Sequence, residues 1–251
     1  MNAAAVSPIR FLIHGFFDLL YPPLCGLCGE KITAPAAKQK VVCAACAAQL
    51  KTIRLPCCAG CGRSLEGLVE TVTLCPECRG RTLYYEQSRS CFLYEGTVKE
   101  AIHRLKYSGR ISFLDFFRDR FIGYLRENPA LTDDIEGIIA VPLHHVRFRE
   151  RGFNQAAILA KAAAQEFRTA DLSACLQRII NTNPQSGLDK GSRFENVRGA
   201  FEVRDPDAVA LKKILLIDDV FTTGSTLNEC SRVLKGAGAR SVRCCTFARG
   251  I

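Results

Sequence analysis

The sequence predicts an α/β protein: a parallel sheet in the C-terminal part, preceded by a small cysteine-rich region. Two observations carry this. Lys213–Ile217, Thr226–Lys235 and Ser241–Ala248 read as strand, helix and strand within one short span, the βαβ pattern of a parallel sheet. Upstream, the cysteines fall into Cys-x-x-Cys pairs spread over a stretch with few large apolar residues.

Composition sets the outer limits. The chain has 251 residues, 48% hydrophobic and 24% charged, enough to bury a sizeable core and ordinary for a globular protein. Fourteen cysteines would suit a short disulfide scaffold, but this chain is long and well supplied with apolar residues. The formal net charge of +9 is weak evidence for a nucleic-acid partner.

Taken in order, the first element is Ile9–Leu20, where Ile9, Leu12, Ile13, Phe16, Leu19 and Leu20 recur at helical spacing. His14 and Asp18 interrupt the apolar run, and Pro22 and Pro23 end it. The segment is too short to span a bilayer and lacks a signal-peptide cleavage site. We expect residues 1–22 to form an amphipathic helix that docks on the protein itself, with attachment to a membrane surface as the alternative, and no transmembrane segment.

Residues 23–82 form the second zone. Cys25-x-x-Cys28 is followed by Cys43-x-x-Cys46, and Cys58-x-x-Cys61 by Cys75-x-x-Cys78, so one small unit is used twice. Each pair can present two thiolates to one ion, and two pairs close a tetrahedral shell with no open position. These spacings predict two structural zinc ions held in a double zinc ribbon. The repetition favours sequential sites, first pair with second and third with fourth; an interleaved cross-brace is the other arrangement. Each tetrathiolate site would carry about −2, bringing the balance of charge to roughly +5. Thiolate ligation requires a reducing compartment, so the expected location is cytoplasmic.

Residues 88–251 are the third zone. Gly96–Lys106 reads as a helix with Val98, Ile102 and Leu105 on one face, Asp134–Val141 as a strand, and Gln155–Phe167 as an alanine-rich helix. Asn181–Gly199 is polar and without period, a long loop. Cys91, Cys175, Cys230, Cys244 and Cys245 lie in apolar segments and read as small core residues.

The stretch ILLIDDVFTTGST, Ile214 to Thr226, carries the chemistry. Ile214–Ile217 lacks the alternation of a half-exposed strand and reads as a buried central one, which puts Asp218 and Asp219 at its carboxyl end, where ligands bind in open α/β folds. Thr222, Thr223, Gly224, Ser225 and Thr226 then lead into a helix whose unpaired amides attract an anion. The carboxylates would repel a phosphate, so they require donors: the vicinal hydroxyls of a sugar, or hydrated Mg²⁺. A ligand with hydroxyls at one end and a phosphate at the other is a ribose 5-phosphate. Competing readings are weaker: a plain helix cap at Asp219 needs no such long turn, a receiver domain needs an aspartate and a lysine on later strands, and no Gly-x-x-x-x-Gly-Lys-Ser/Thr occurs for a P-loop.

ILLIDDVFTTGST also resembles the phosphoribosyl pyrophosphate (PRPP) signature of type I phosphoribosyltransferases. That resemblance implies that Asp218 and Asp219 hold the ribose hydroxyls, that Thr222–Thr226 hold the 5-phosphate, and that Mg²⁺ accompanies PRPP. The whole chain is similar to the ComF family of competence-associated proteins, a double zinc ribbon fused to a type I phosphoribosyltransferase-like domain. The likeness runs through the cysteine pairs, HRLKYSG (His103–Gly109), VPLHHVRFRERGFNQ (Val141–Gln155) and the loop with Gln185, Leu188, Arg193 and Asn196.

Between a strand end and a helix start, Arg151 and Gly152 are candidates to hold a pyrophosphate group, and Arg193 is the candidate contact from a lid over the ligand. Lys106 and Tyr107 could reach a phosphate or base, although an exposed helix end predicts the same residues. His144 and His145 have no partner visible in sequence, and no catalytic residue is named.

Three functions stay open: a protein holding PRPP or a nucleotide, whose family implies DNA uptake, single-stranded DNA and DNA-uptake proteins as partners; an active phosphoribosyltransferase; and a PRPP-sensing regulator. A hood selecting a base would have to come from about Tyr84–Pro129 or from the ribbons.

Overall fold

A computed structural model describes residues 22–32, 41–65, 73–107, 113–182 and 196–250. The helix expected before Pro22, the side chain of Tyr107 and the lid candidate Arg193 lie outside the described residues. The chain divides into two compact units, Met1–Gln49 and Leu50–Ile251, so the unit boundary falls inside the cysteine zone and groups the second set of cysteines with the sheet.

In the first unit, a tight turn at Cys25–Cys28 closes with Gly29 N–H donating to the Cys25 carbonyl at 2.9 Å, and Gly29 takes φ +79°. A short helix, α1 (Ala44–Ala48), starts directly after Cys43. The second unit repeats the design: Gly62 N–H donates to the Cys58 carbonyl at 2.9 Å with φ +71°, and α2 (Pro76–Arg79) starts after Cys75. The left-handed backbone explains why glycine follows each leading Cys-x-x-Cys pair.

The sheet of the second unit uses strands β1 (Gln87–Leu93), β2 (Gly137–Ala140), β3 (Ala170–Asp171), β6 (Lys213–Phe221) and β7 (Ser241–Arg249), all parallel, in the order β1-β7-β6-β2-β3. Ile214, Leu215, Leu216 and Ile217 are each fully buried, which a strand alternating its side chains between two faces achieves only if both are covered. Two further strands, β4 (Leu176–Arg178) and β5 (Phe201–Val203), form a separate antiparallel ribbon.

Helices α3 (Gly96–Tyr107), α4 (Phe113–Glu127), α5 (Pro129–Thr132), α6 (His145–Arg151), α7 (Gln155–Glu166), α8 (Pro206–Val209) and α9 (Ser225–Gly236) complete the described elements. α7 packs on β2 and α4 through Ala156, Leu159, Ala160 and Ala163, small residues that allow close approach. α9 packs on β5, β6 and β7. Cys91, Cys175, Cys230, Cys244 and Cys245 are buried, as expected of small core residues.

Two boundaries differ from the sequence reading by more than one residue. β2 starts at Gly137 because Asp134 turns the chain with φ +57°. β6 continues four residues past Ile217 because β7 runs on beside it, pairing Asp218 with Thr246, Val220 with Ala248 and Phe221 with Arg249. No helix among the described residues is long and apolar enough to cross a membrane.

Candidate functional site

β2 ends at Ala140, opposite Ile217, whereas β6 and β7 extend beyond it. Asp218 and Asp219 therefore sit on the protruding end of a central strand, on a shelf that only β7 flanks. Asp218 folds back so that its Oδ1 accepts from the Asp219 amide at 2.8 Å. Burial first, then the neighbouring Asp219 carboxylate, push the Asp218 carboxyl up to about 7; the amide contact, Lys106 and Arg178 oppose this in part.

Asp219 meets Lys106, at the end of α3, with Nζ and Oδ2 2.6 Å apart. The Lys106 side chain is only 18% exposed, so it is not the solvated helix end that sequence equally predicted. Burial disfavours its charge, yet Asp219 and Asp218 hold the ammonium above its ordinary range. Arg151, the last residue of α6, lies within electrostatic reach of the same ammonium. Gly152 closes α6 with φ +76°, its N–H donating to the Phe148 carbonyl at 2.8 Å. Asn154 caps α7, accepting from Ala156 N–H, while its Nδ2 donates to the Val141 carbonyl at 3.0 Å.

The turn after β6 is shaped by Gly224. At φ +78° it adopts a backbone that other residues resist, and a Cβ there would lie 2.5 Å from Cζ of Phe221. The helix α9 begins at Ser225, directly behind it, so the positive end of its dipole faces the turn, where Ser225 N–H donates to Thr223 Oγ1 at 3.4 Å. Thr223 and Ser225 are buried, with their hydroxyls 2.6 Å apart. Asp218, Asp219, the Thr222–Thr226 turn, Lys106 and Arg151 thus gather at one end of the sheet.

Sequence reading missed two side chains here. Arg178, at the tip of β4, feels the Asp218 charge; burial lowers its pKa from the usual guanidinium range, and its buried Nε has no partner among the described residues. Gln155, at the start of α7, lines a mostly apolar cavity with Asp219, Leu105 and Phe117, and its buried Nε2 likewise has no partner among the described residues. Gln155 stood in a quoted motif; nothing local marks Arg178. His144 caps α6 through Nδ1, and burial, His145, Arg178 and Arg149 keep its imidazole below the ordinary range.

The cysteines form two separate clusters, Cys25, Cys28, Cys43 and Cys46, and Cys58, Cys61, Cys75 and Cys78, the sulfurs in each within 4.8 Å of one another. The sites are therefore sequential, not a cross-brace. Four sulfurs about 2.3 Å from a tetrahedral zinc lie about 3.8 Å apart. Cys28 and Cys43 are 3.7 Å apart and Cys61 and Cys75 3.8 Å, so both clusters fit a structural zinc ion. Backbone amides also donate to sulfur, Cys43 N–H to Cys25 at 3.3 Å and Cys75 N–H to Cys58 at 3.2 Å, a contact that favours thiolate.

Comparison with known proteins finds family matches in both the cysteine zone and the sheet zone. Residues 16–79 match the model of a double zinc ribbon domain, and residues 154–251 that of a phosphoribosyl transferase domain. The chain is 28% identical to competence protein F of Haemophilus influenzae, over 83% of this chain and 90% of that one. It is 30% identical to competence protein ComFC of Bacillus subtilis, over 83% of this chain and 84% of that one. It is 27% identical to the DNA utilization protein YhgH of Escherichia coli, over 90% and 96%. With its cysteine clusters, its parallel sheet and this likeness along most of its length, the chain belongs to the ComF family.

Proposed function

We propose that this protein binds a ribose 5-phosphate moiety, as PRPP with Mg²⁺ or as part of a nucleotide, and acts in the handling of incoming single-stranded DNA in the cytoplasm. The observation that carries the ligand is the opposition of signs across one short stretch: two carboxylates on the strand end and, immediately beyond, a glycine turn into the positive end of a helix. Asp218 and Asp219 accept from the vicinal hydroxyls. The amides at the start of α9 receive the 5-phosphate, as at other helix N-termini. The role in DNA uptake rests on the competence and DNA utilization relatives.

Lys106, Arg151 and Arg178 supply positive charge around the carboxylates, which suits the diphosphate of PRPP. Bound Mg²⁺ offsets charge on that diphosphate. The same arc favours a second reading, transfer of the phosphoribosyl group with pyrophosphate as leaving group, because a displacement of this kind needs positioning and charge stabilisation more than a nucleophilic side chain.

Calorimetric titration with Mg²⁺ and PRPP tests the binding reading. We expect saturable binding, weakened at least about tenfold in the double variant Asp218→Asn/Asp219→Asn. Heat of binding that is absent, or unchanged in the variant, removes the reading. Pyrophosphate release across a panel of bases then separates transfer from binding alone.

A further inference from the structure

The polypeptide around the second cysteine cluster is tied to the phosphate turn and the helix behind it at three places. Arg249, at the end of β7, is 2% exposed. Its Nη1 donates to the carbonyl of Cys61, and its Nη2 lies 3.9 Å from the Cys61 sulfur. The same guanidinium stacks over the ring of Phe221, 4.7 Å from the centroid. That ring is the surface against which Gly224 is packed, and the Phe221 carbonyl accepts from Gly250 N–H at 2.8 Å.

The second tether comes from the segment that leaves α2. Arg81 Nη1 donates to the carbonyl of Thr223, inside the turn, at 2.8 Å. The third joins the same segment to α9: Asn228 Nδ2 donates to the Thr82 carbonyl at 3.1 Å, and Asn228 Oδ1 accepts from Tyr84 N–H at 2.9 Å. Floor, rim and following helix are each fixed to the polypeptide that the second cluster organises.

We infer that Arg249 and Arg81 are positioning residues through which the second zinc knuckle sets the geometry of the phosphate-binding turn, so that phosphate affinity and zinc retention at Cys58, Cys61, Cys75 and Cys78 are linked. The inference rests on the ribose 5-phosphate reading above. A guanidinium shared between a metal-ligand residue and an aromatic floor transmits a shift of the knuckle to the turn, because close-packed groups do not deform independently. Coupling of this kind is reciprocal: what the zinc does for the ligand, the ligand does for the zinc.

The test uses the full chain loaded with zinc, ribose 5-phosphate as probe, and Mg²⁺-pyrophosphate as a control that bypasses the turn. In Arg81→Ala and Arg249→Met, ribose 5-phosphate affinity falls on the order of tenfold, while zinc content stays at about two ions per chain and Mg²⁺-pyrophosphate affinity holds. In the wild type, saturating ribose 5-phosphate slows the loss of one of the two zinc ions to a chelator, and Arg81→Ala abolishes that protection. If Arg249→Met does not fold, Arg81→Ala decides.

Variants that keep their zinc and bind ribose 5-phosphate like the wild type overturn the inference and leave the pocket standing. A wild type that binds neither probe removes the pocket, and this inference with it.

Discussion

The two cysteine clusters share one motif and differ in embedding. In the first, Cys25 and Cys46 are buried, but Cys28 is exposed and Cys43 partly so. In the second, all four cysteines are buried, and the knuckle is stitched to β1, where Ser88 N–H donates to the Gly60 carbonyl at 2.7 Å and Arg89 to the Ala59 carbonyl at 3.0 Å. A Cβ at Gly62 would meet the Ser88 carbonyl at 2.6 Å, so this knuckle presses on the strand. A repeated ligand pattern specifies a metal and leaves open what the metal supports; neighbours decide that.

The strongest way to break the comparison is to disable each site in turn. Structural zinc contributes on the order of 10 kcal/mol to its fold, comparable with the whole stability of a typical domain. Cys78→Ser should therefore unfold the unit that carries the sheet, seen as loss of soluble protein and of its cooperative melting transition. Cys28→Ser should lose one zinc ion and leave that transition in place. Equal loss of folding in both variants would erase the distinction.

A smaller effect is expected at the turn. Gly224→Ala forces a side chain into a left-handed backbone and against the Phe221 ring, which costs about 1–3 kcal/mol. The melting temperature should drop by several degrees, with weaker ribose 5-phosphate binding and both zinc ions retained. Loss of zinc from this variant would place the turn and the second knuckle in tighter contact than the three tethers describe.

The smallest effect is on pH. The Asp218 carboxyl is raised from 3.8 to about 7 in the folded protein, so its contribution to stability is fully present below the lower value and is lost as pH rises through the upper one. The carboxylate is the form that accepts from sugar hydroxyls. Affinity for Mg²⁺-PRPP should therefore rise between about pH 6 and about pH 8, by up to about tenfold, and Asp218→Asn should flatten that slope. Zinc content should stay at about two ions per chain across this window.

Much of this was legible in sequence because it is local. Cys-x-x-Cys spacing, the aliphatic run into Asp218 and Asp219, and Gly224 before a helix each act within a few residues. β1 was not recognised because two of its buried residues, Ser88 and Ser90, are polar: Ser90 faces Thr246 with hydroxyl oxygens 2.7 Å apart, a partner far along the chain. The Phe-rich helix α4 carries its period in the sequence, with Phe113, Phe116, Phe117, Phe121 and Leu125 on one buried face. Arg178 and the Lys106–Asp219 pair depend on tertiary contact alone, as does the tie from Arg249 to Cys61. No local pattern encodes them.

The most direct test of the ligand site is a crystal structure of the zinc-loaded protein with ribose 5-phosphate. The account predicts the sugar diol on the carboxylates of Asp218 and Asp219 and the phosphate on the amides of the Thr222–Thr226 turn. A ligand bound elsewhere, or a strand end that stays closed by Lys106 at saturating concentration, would contradict it.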